Sequence, residues 1–596
     1  MMRPGYHTGL VYMNDGRFHA DVWNTSNQKF FVLSGVVAPG AYHHVAMTVD
    51  DTAKQLHLYV DGQEVSGSPT TYTGMLRDYG TAPLYIGSGN PFAASWKWMF
   101  KGTIDEVGVY NRALPGQEVL ARVSGTAPAP TPVSDPVPTP TPVSNPPAPT
   151  PDPTPAPLPN PSVGIDGPLR VSPSNARYFT DNTGRAVYLT GSHTWNNFQD
   201  IGVNGNQITF NYPGYLDFLQ GLNHNFIRLW VWESTSGGNW TPRAPQAFQR
   251  TGPGTAEDGG AKYNLSQFDQ GYFDRLRQRI IAARDRGMYV SIMLFEGWSV
   301  HTSSQFFGHP YGRNNNVNGI SGDLNGDGNG DEVHTLANGA VTSFEEAYVR
   351  KVIDTVNDLD NVLYEIGNEV TPDSTNWQYR LINTIKQYEA TKPKRHPVGM
   401  TWQYSPPANN SNLFNSPADW ISPHQEEDYM SNPPAADGRK VIIVDTDHLW
   451  GLGGDRAWAW RSFLRGLNPI YMDSYTDHSD GAFPNDGNAA PDPDARKAMG
   501  HTLSYAKRMN LIAMTPREDL ASTGYCLANP SGGEYLVYAQ NGGTFTVNLS
   551  GTTGSLNVEW FNPGTGQTIA GAPIAAGATQ SMSAPFGGMS VLYLRR

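Results

Sequence analysis

The chain has 596 residues, of which 38% are hydrophobic and 16% are charged, and this length predicts three or four domains. Its formal net charge of −13 would repel a polyanion, which argues against nucleic-acid binding. The single cysteine, Cys526, excludes an intramolecular disulfide framework, and the sequence contains no apolar stretch of about 18 residues that would predict a membrane span.

The N-terminal region, residues 1–125, is rich in strand patterns. Residues 43–50 and 55–62 alternate apolar with polar side chains and end at an Asp-Gly turn signal, which predicts a hairpin. Further strand patterns occupy residues 84–87 and 102–114. These segments, with the motifs Leu-Tyr-Val-Asp-Gly and Gly-Thr-Ile-Asp-Glu-Val, resemble the laminin-G, concanavalin-like jelly roll. The resemblance implies a domain that binds carbohydrate or protein, or that serves only as a spacer.

Residues 126–162 are built from Thr-Pro, Ala-Pro and Val-Ser-Asx-Pro units, which predict a semi-rigid linker. A spacer of this kind favours two modules that act at a distance on one large substrate. The first 40 residues contain no signal-peptide pattern and begin directly with strand-like sequence, so we expect that the chain is truncated at its N-terminus. Few charges and many turn residues are typical of extracellular sugar-handling proteins, and we therefore expect the protein to be secreted.

Strand and helix patterns alternate over residues 163–510, which predicts βα units. The predicted strands are residues 187–191, 226–231, 289–294, 362–366, 397–401, 420–423, 440–444 and 469–472. An amphipathic helix is predicted over residues 272–286. Eight such strands indicate a (β/α)8 TIM barrel with its chemistry at the C-terminal strand ends. Short strands over residues 511–596 predict a C-terminal β-sandwich with a structural role.

The dipeptide Asn368-Glu369 ends the predicted fourth strand. It resembles the Asn-Glu signature of clan A retaining glycosidases, the clan of family 5-like barrels. The resemblance implies that Glu369 is the general acid/base and that Asn368 binds the 2-hydroxyl of the sugar. The glycosidic oxygen is a poor leaving group and needs a proton as the bond breaks, which a positioned carboxyl can deliver. The competing interpretation is a polar pair that caps a loop.

The partner carboxylate is expected at the end of the seventh strand, where the family usually has Glu. This chain instead has Asp445 and Asp447 there. The Val-x-Asp-x-Glu layout of apiosidase-like barrels implies Asp447 as the nucleophile, with Asp445 as the second choice. A gap of about 5 to 5.5 Å between carboxyls would give retention, which we favour, and about 6.5 to 9.5 Å would give inversion. Metal binding or loop capping by the two aspartates remains an alternative.

Further candidates lie at the strand ends around this pair. Arg228 on the second strand resembles the clan A arginine that supports the nucleophile, and it would alternatively neutralise Glu365 inside the barrel. The other predicted substrate-binding residues are His193, Trp195, Trp232, Glu296, Trp298, Trp402, His424, His448 and Trp450. Aromatic faces bind the C–H faces of pyranose rings, and polar side chains bind the hydroxyls, so their recurrence at one rim predicts a sugar site.

A loop between the third and fourth strands carries a calcium-like motif. Its candidate ligands are Asp323, Asn325, Asp327, Asn329 and Asp331, oxygen-bearing side chains on alternate residues. The twelfth position is His334 rather than a bidentate Glu, so the motif is not a regular EF-hand. A structural calcium ion and a flexible turn are both open at this point.

Together these patterns predict a glycoside hydrolase that needs no cofactor for catalysis and acts on a polysaccharide or oligosaccharide. A non-catalytic carbohydrate-binding or adhesion protein with a degenerate barrel is the alternative, because the nucleophilic Glu is missing. The sequence does not indicate the sugar, endo or exo action, or the oligomeric state.

Overall fold

The computed structural model describes residues 9–76 except 14, 39 and 41, residues 104, 107, 108 and 113–123, residues 164–472 except 203–208 and 237–240, residue 475, and residues 493–596. The chain divides into two compact units, residues 1–155 and 156–596. The predicted linker at 126–162 and the predicted strand at 84–87 lie outside the described residues, as does most of 102–114. The four domain boundaries stay predictions.

The described part of the N-terminal unit consists of antiparallel strands. Its elements are β1 (Gly9–Tyr12), β2 (Arg17–Trp23), β3 (Lys29–Val36), β4 (Val45–Asp50), β5 (Gln55–Val60), β6 (Gln63–Glu64), β7 (Thr70–Thr71) and α1 (Gly116–Val123). The predicted hairpin is confirmed, since β4 pairs antiparallel with β5 and Val45 lies opposite Val60. Strands β1 to β3 form a second sheet, and alternating residues such as Val22 and Leu58 bury their side chains in a common core.

Eight parallel strands of the second unit close into the predicted barrel. The strands of this region are β8 (Arg170–Val171), β9 (Phe179–Thr180), β10 (Ala186–Val187), β11 (Gly191–His193), β12 (Asp200–Ile201), β13 (Phe226–Leu229), β14 (Arg243–Ala244), β15 (Phe248–Thr255), β16 (Ala261–Phe268), β17 (Tyr289–Glu296), β18 (Val362–Asn368), β19 (Val398–Thr401), β20 (Trp420–Ser422), β21 (Val441–Asp445) and β22 (Asn468–Met472). The barrel order is β11, β13, then β17 to β22, and β22 pairs with β11. Because all eight strands run the same way, their C-terminal ends meet at one mouth.

The first barrel strand lies further along the chain than predicted. Residues 186 and 187 form β10, which pairs with β9 in a separate antiparallel sheet, and the barrel strand begins only at Gly191. An apolar run does not reveal which neighbour it pairs with, and this ambiguity caused the error. A Cβ at position 191 would lie 1.9 Å from the carbonyl oxygen of Phe226, so the close approach of β11 and β13 requires glycine there.

An α-helix follows every barrel strand except β20, after which the described residues up to β21 contain only a short 3-10 turn at Glu426–Asp428. The helices of this region are α2 (Tyr212–Gly221), α3 (Gln270–Arg284), α4 (Ser303–Phe306), α5 (Gly339–Val356), α6 (Thr375–Glu389), α7 (Asn410–Phe414), α8 (Arg456–Leu464) and α9 (Pro493–Arg508). The helix predicted over 272–286 is confirmed as α3, which begins two residues earlier because the Asp269 side chain accepts the backbone N–H of Gly271. Within the described ranges, no helix combines the length and apolar composition needed to cross a bilayer.

The C-terminal region forms the predicted antiparallel sandwich. Its strands are β23 (Thr515–Pro516), β24 (Cys526–Asn529), β25 (Glu534–Ala539), β26 (Gly542–Asn548), β27 (Ser555–Phe561), β28 (Thr568–Ala575), β29 (Thr579–Gly587) and β30 (Ser590–Arg595). Its larger sheet has the order β23, β24, β25, β30, β27, β28. Trp460 of α8 packs against Tyr538 and Phe561, with ring centroids 6.3 and 5.9 Å apart. Arg508 of α9 forms an ion pair with Glu559 at 2.6 Å, so sandwich and barrel share one interface.

Candidate active site

Glu369 follows directly after the last residue of β18 and has an unusual backbone conformation. Its φ is 44°, in the left-handed region that non-glycine residues seldom adopt. The Glu369 carbonyl oxygen lies within hydrogen-bonding distance of His301 Nε2, at 2.7 Å. Gly297 lies so close that a Cβ there would be 2.0 Å from the same oxygen. The loop after β17 therefore fixes the backbone of the predicted acid/base.

His301 connects Glu369 to the Asp- and Asn-rich loop. Its Nδ1 lies 2.8 Å from Oδ1 of Asp331. A carbonyl oxygen and a carboxylate are both acceptors, so the ring satisfies both partners only by donating from both nitrogens, as an imidazolium. Burial opposes this charge, but the hydrogen bonds to Asp331 and to the Glu369 carbonyl outweigh it and raise the pKa of His301. We name Asp331, His301 and the Glu369 carbonyl the backbone clamp.

The Glu369 carboxyl group faces Trp298, whose Nε1–H donates to Oε2. Burial, followed by the negative charge of Asp447, raises the pKa of Glu369 to about 8. A carboxyl with this pKa carries its proton at neutral pH. Because Trp298 is a donor to Oε2, that proton is expected on Oε1.

One buried guanidinium joins three barrel strands. Arg228 of β13 is 2% exposed, and it donates from Nε to Glu365 Oε2 at 2.9 Å. Its Nη1 donates to Asp445 at 3.2 Å and to Asp447 at 3.0 Å. Its Nη2 donates to Asn368 Oδ1 at 2.6 Å. The Arg228 side chain thus connects Asp447, which follows the seventh barrel strand, to Asn368, which precedes Glu369. It also pairs with Glu365 inside the barrel, as one of its two predicted roles requires, and support of a nucleophile stays a prediction.

Asp445 and Asp447 occupy different environments. The buried Asp445 carboxylate accepts hydrogen bonds from His193 Nε2 at 2.9 Å and from the backbone N–H of Asp447 at 3.0 Å, in addition to Arg228. Burial acts against its charge, yet His193 and Arg228 hold the pKa of Asp445 below its ordinary value. The Asp447 side chain is 7% exposed, and burial raises its pKa to about 6 against the opposing effect of Arg228. Asp445 anchors the network, and Asp447 lies nearer to solvent.

His448 and Asn368 form the floor between these carboxylates. His448 Nδ1 pairs with the Ser422 hydroxyl at 2.9 Å, and its Nε2 lies 3.0 Å from Asn368 Oδ1. Burial and the Arg228 charge lower the pKa of His448 to about 3, so the ring is neutral and Nε2 donates. Asn368 Oδ1 therefore accepts two hydrogen bonds. Its buried Nδ2 has no hydrogen-bond partner among the described residues, which leaves one donor for a ligand.

Several predicted rim residues lie around the mouth and are partly exposed. Trp402 and His424 stack with ring centroids 3.9 Å apart and planes 13° from parallel. Trp450 meets Trp458 edge to face at 5.5 Å. The Trp232 indole donates to the Trp195 carbonyl at 2.9 Å, and Trp232 itself is buried. Direct contact of any of these residues with a sugar stays a prediction.

Glu296 is fully buried beneath Trp298. Its carboxylate accepts the Trp298 backbone N–H at 3.0 Å and the Ser299 hydroxyl at 3.2 Å. Burial raises the pKa of Glu296 to about 7. Its own backbone N–H donates to Glu233 Oε1 at 2.7 Å, and His334 Nε2 lies 2.9 Å from the same oxygen. Glu296 thus holds the turn that presents Trp298.

Sequence reasoning missed His301, Tyr404 and the supporting role of Glu233. All three lie in long segments between strands, where no periodic pattern indicates which loop residues meet. Tyr404 stacks on His301 at 4.8 Å and meets Trp298 edge to face at 5.3 Å. The one signal for Glu233 is an acidic residue four positions after the end of a barrel strand.

The calcium-like loop is organised by its own turns. The Asp323 carboxylate accepts the backbone N–H groups of Gly326 and Gly328 at 2.6 and 3.0 Å. Asn325 donates to Asp327 at 3.0 Å, and the Asn329 N–H donates to Asp327 at 2.8 Å. In the part of the chain that is described, no group of three or more His, Cys, Asp or Glu side chains is arranged to hold a metal ion. Calcium binding therefore stays a prediction.

Three family descriptions match separate parts of the chain. Residues 3–120 match the Concanavalin A-like lectin/glucanases superfamily. Residues 224–404, which include Arg228 and Glu369, match a domain of unknown function, DUF6298. Residues 511–590 match a family described as "Putative collagen-binding domain of a collagenase". A comparison with curated proteins gives no match.

Solved structures resemble the second unit. A "putative glycoside hydrolase" from Bacteroides vulgatus ATCC 8482 aligns with a TM-score of 0.50 and 14% identity, over 72% of this chain and 82% of that one. A family 5 glycoside hydrolase from the same organism aligns at 0.46 and 14%, over 72% and 93%. A further glycoside hydrolase aligns at 0.49 and 13%, over 72% and 97%.

These findings confirm the predicted architecture. The chain is a multidomain protein with an N-terminal concanavalin-like jelly roll, a TIM barrel and a C-terminal antiparallel sandwich. Over 72% of its length the chain shares the fold of the putative glycoside hydrolase from Bacteroides vulgatus, at an identity that shows the fold alone.

Proposed function

We propose that the protein is a glycoside hydrolase that cleaves a polysaccharide or oligosaccharide with two carboxyl groups at the barrel mouth. The observation that carries the proposal is that the Arg228 guanidinium hydrogen-bonds both Asp447 and Asn368. Because Asn368 immediately precedes Glu369, this pairing brings the Glu369 backbone close to Asp447. Two carboxyls from strands far apart in sequence are thereby brought near each other, and both residues are only partly buried. This arrangement is what glycosidic bond cleavage requires.

Glu369 is the proposed general acid. With a pKa of about 8 it is protonated at neutral pH, and its Oε1 can give the proton to the glycosidic oxygen as the bond to the anomeric carbon breaks. Asp447, with a pKa of about 6, is mostly ionised at the same pH. This difference in pKa supports Glu369 as the acid and Asp447 as the nucleophile of the proposed pair.

Asp447 rather than Asp445 is the proposed nucleophile. Asp445 accepts hydrogen bonds from a histidine, an arginine and a backbone N–H, and carboxylate lone pairs engaged in this way are not available to attack carbon. Asn368 Nδ2 is a buried donor that a sugar hydroxyl can satisfy. Hydrogen bonds to the 2-hydroxyl strengthen in the transition state of two-carboxylate mechanisms, and Asn368 Nδ2 would supply one of them.

We further propose that the reaction retains the anomeric configuration. The charge of Asp447 raises the pKa of Glu369, and like charges have this effect over short distances. What supports retention is the resemblance of Asn368-Glu369 to the signature of clan A retaining glycosidases; Asp447 would then form a covalent glycosyl-enzyme that water hydrolyses. We also propose that the enzyme acts outside the cell, in keeping with its composition and its jelly-roll domain.

The test is turnover of a broad polysaccharide and oligosaccharide array, with products identified by mass spectrometry. Glu369→Gln and Asp447→Asn should each lower kcat/KM by about 100- to 10,000-fold and leave substrate binding in place. Asp274→Asn, an equal change of charge on the outer helix α3, is the matched control and should retain activity. Proton NMR of the first product reports the anomer. Binding of glycans without turnover by the wild type would favour the adhesion alternative and refute the proposal.

A further inference from the structure

Two exposed aromatic side chains lie beside the proposed acid. In the described part of the second unit, the aromatic residues more than a third exposed are Trp298, Phe307 and Tyr404, at 37%, 46% and 40%. Trp298 donates to the Glu369 carboxyl, and Tyr404 meets the Trp298 ring edge to face at 5.3 Å. Exposed aromatic area is costly in water, so its concentration at one catalytic carboxyl indicates a binding surface.

Both rings are held in fixed positions. The Trp298 backbone N–H is bound by the buried Glu296 carboxylate at 3.0 Å. The Tyr404 backbone N–H donates to the Val370 carbonyl at 3.0 Å, and the Tyr404 ring stacks on His301 at 4.8 Å with planes 30° apart. Because their order is established before any ligand arrives, binding to them costs little conformational entropy.

The direction of the reaction shows which ring of the substrate these side chains meet. In a two-carboxylate mechanism the nucleophile approaches the anomeric carbon from the side opposite the leaving group, and the acid protonates the leaving oxygen. The glycone therefore lies between Asp447 and Glu369, and the departing group lies on the Glu369 side. Trp298 hydrogen-bonds the Glu369 carboxyl and Tyr404 packs against Trp298, so the aromatic pair borders the group that would protonate the leaving oxygen.

We infer that Trp298 and Tyr404 form the leaving-group subsite, which binds the C–H face of the departing sugar ring. The inference rests on the proposed function and deepens it. The same surface would hold an acceptor sugar when the glycosyl-enzyme is intercepted, because the acceptor attacks along the path by which the leaving group departs. An aryl group offers the same flat apolar face and would bind there as well.

The experiment compares substrates with and without a leaving ring. Disaccharides and glycosyl fluorides of glucose, mannose, galactose, xylose and arabinose, in both anomers, are assayed with the full chain. Fluoride leaves without occupying a sugar subsite, so the ratio of kcat/KM for a disaccharide to kcat/KM for its fluoride reports on this subsite. Tyr404→Ala should lower the ratio about 3- to 10-fold, the effect of one lost aromatic contact. Tyr404→Phe, which keeps the ring, should lower it less than twofold, by the same reasoning.

Phe307→Ala removes an equally exposed ring and is the matched control, with an unchanged ratio expected. Transfer of the glycosyl group to added disaccharide acceptor should fall in Tyr404→Ala in parallel with the ratio. Hydrolysis of both substrate types by the wild type would support the hydrolase proposal. In that case, an unchanged ratio in Tyr404→Ala, or an equal fall of the ratio in Phe307→Ala, would refute the subsite alone. If the wild type hydrolyses neither substrate type and also turns over no member of the polysaccharide and oligosaccharide array, the proposed function is refuted and the subsite with it.

Discussion

Replacing Arg228 by Met tests the central structural claim, that one buried cation pairs with three carboxyl groups and stabilises them together. The variant keeps the length of the side chain but leaves Glu365, Asp445 and Asp447 without it. Removing one partner of a buried ion pair costs about 3–5 kcal/mol, because the remaining charge is stranded away from water. At about 2 °C per kcal/mol for a domain of this size, Tm should fall by about 6–10 °C at pH 7.

The fall in Tm caused by Arg228→Met should depend on pH with a definite sign. In the wild type the pKa of Asp445 is held below its ordinary value, so this group stabilises the fold above its unfolded pKa and loses that contribution as pH falls. Without Arg228 the stranded carboxylates take up protons more readily, and a protonated carboxyl is less costly to bury. The Tm difference between variant and wild type should therefore be largest near pH 7 and smaller near pH 4.5.

The assay is thermal unfolding followed by tryptophan fluorescence across this pH range. Arg277→Met is the matched control, since Arg277 pairs with Asp358 at the surface with side chains 38% and 63% exposed. Such a pair contributes about 0–1 kcal/mol, so the control should lose at most about 2 °C. Equal losses for the two variants, or an Arg228→Met deficit that does not shrink at low pH, would refute the role of Arg228.

The remaining predictions concern catalysis. The pH profile of kcat/KM should be bell-shaped, with a rise near pH 6 as Asp447 ionises and a fall near pH 8 as Glu369 loses its proton. Undiminished activity at pH 9.5 would contradict this assignment of the two carboxyls. Asp331→Ala opens the backbone clamp and should lower kcat about 10- to 100-fold with little change in KM, because Glu369 is displaced. Asp331→Asn should keep kcat within about twofold, since its amide can donate to Nδ1 while Nε2 of His301 still donates to Glu369; equal losses in the Ala and Asn variants would show that the clamp has no such role.

The barrel strands were predictable because each is a short apolar run between turn signals. Strand β21, residues 441–445, was predicted to within one residue at each end, and the acidic residues at its end predicted Asp445 and Asp447 at the barrel mouth. Arg228 was foreseen by its position on the second barrel strand. Its simultaneous hydrogen bonds to four side chains depend on the closure of the barrel, which no local pattern encodes.

The parts of the site that escaped prediction lie in the loops. His301 and Asp331 are thirty residues apart within one loop region, and their pairing follows from turn geometry and tertiary packing rather than from any spacing. Asp331 was predicted as a calcium ligand from its place in an alternating acidic motif. Turns at Asp323 and Asp327 organise the loop that carries this motif, and calcium binding there stays a prediction, because the same residue types serve turns, ion pairs and metal sites alike.

The interlocked aromatic layer of Trp460, Tyr538 and Phe561 bears on how such a protein can be rearranged in evolution or by engineering. A chain cut between barrel and sandwich would present this layer to water on both pieces, and each piece would be prone to self-association. Exchanging the barrel or the sandwich alone would therefore have to re-create this buried aromatic surface on the new partner, whereas exchanging the two together would keep it intact.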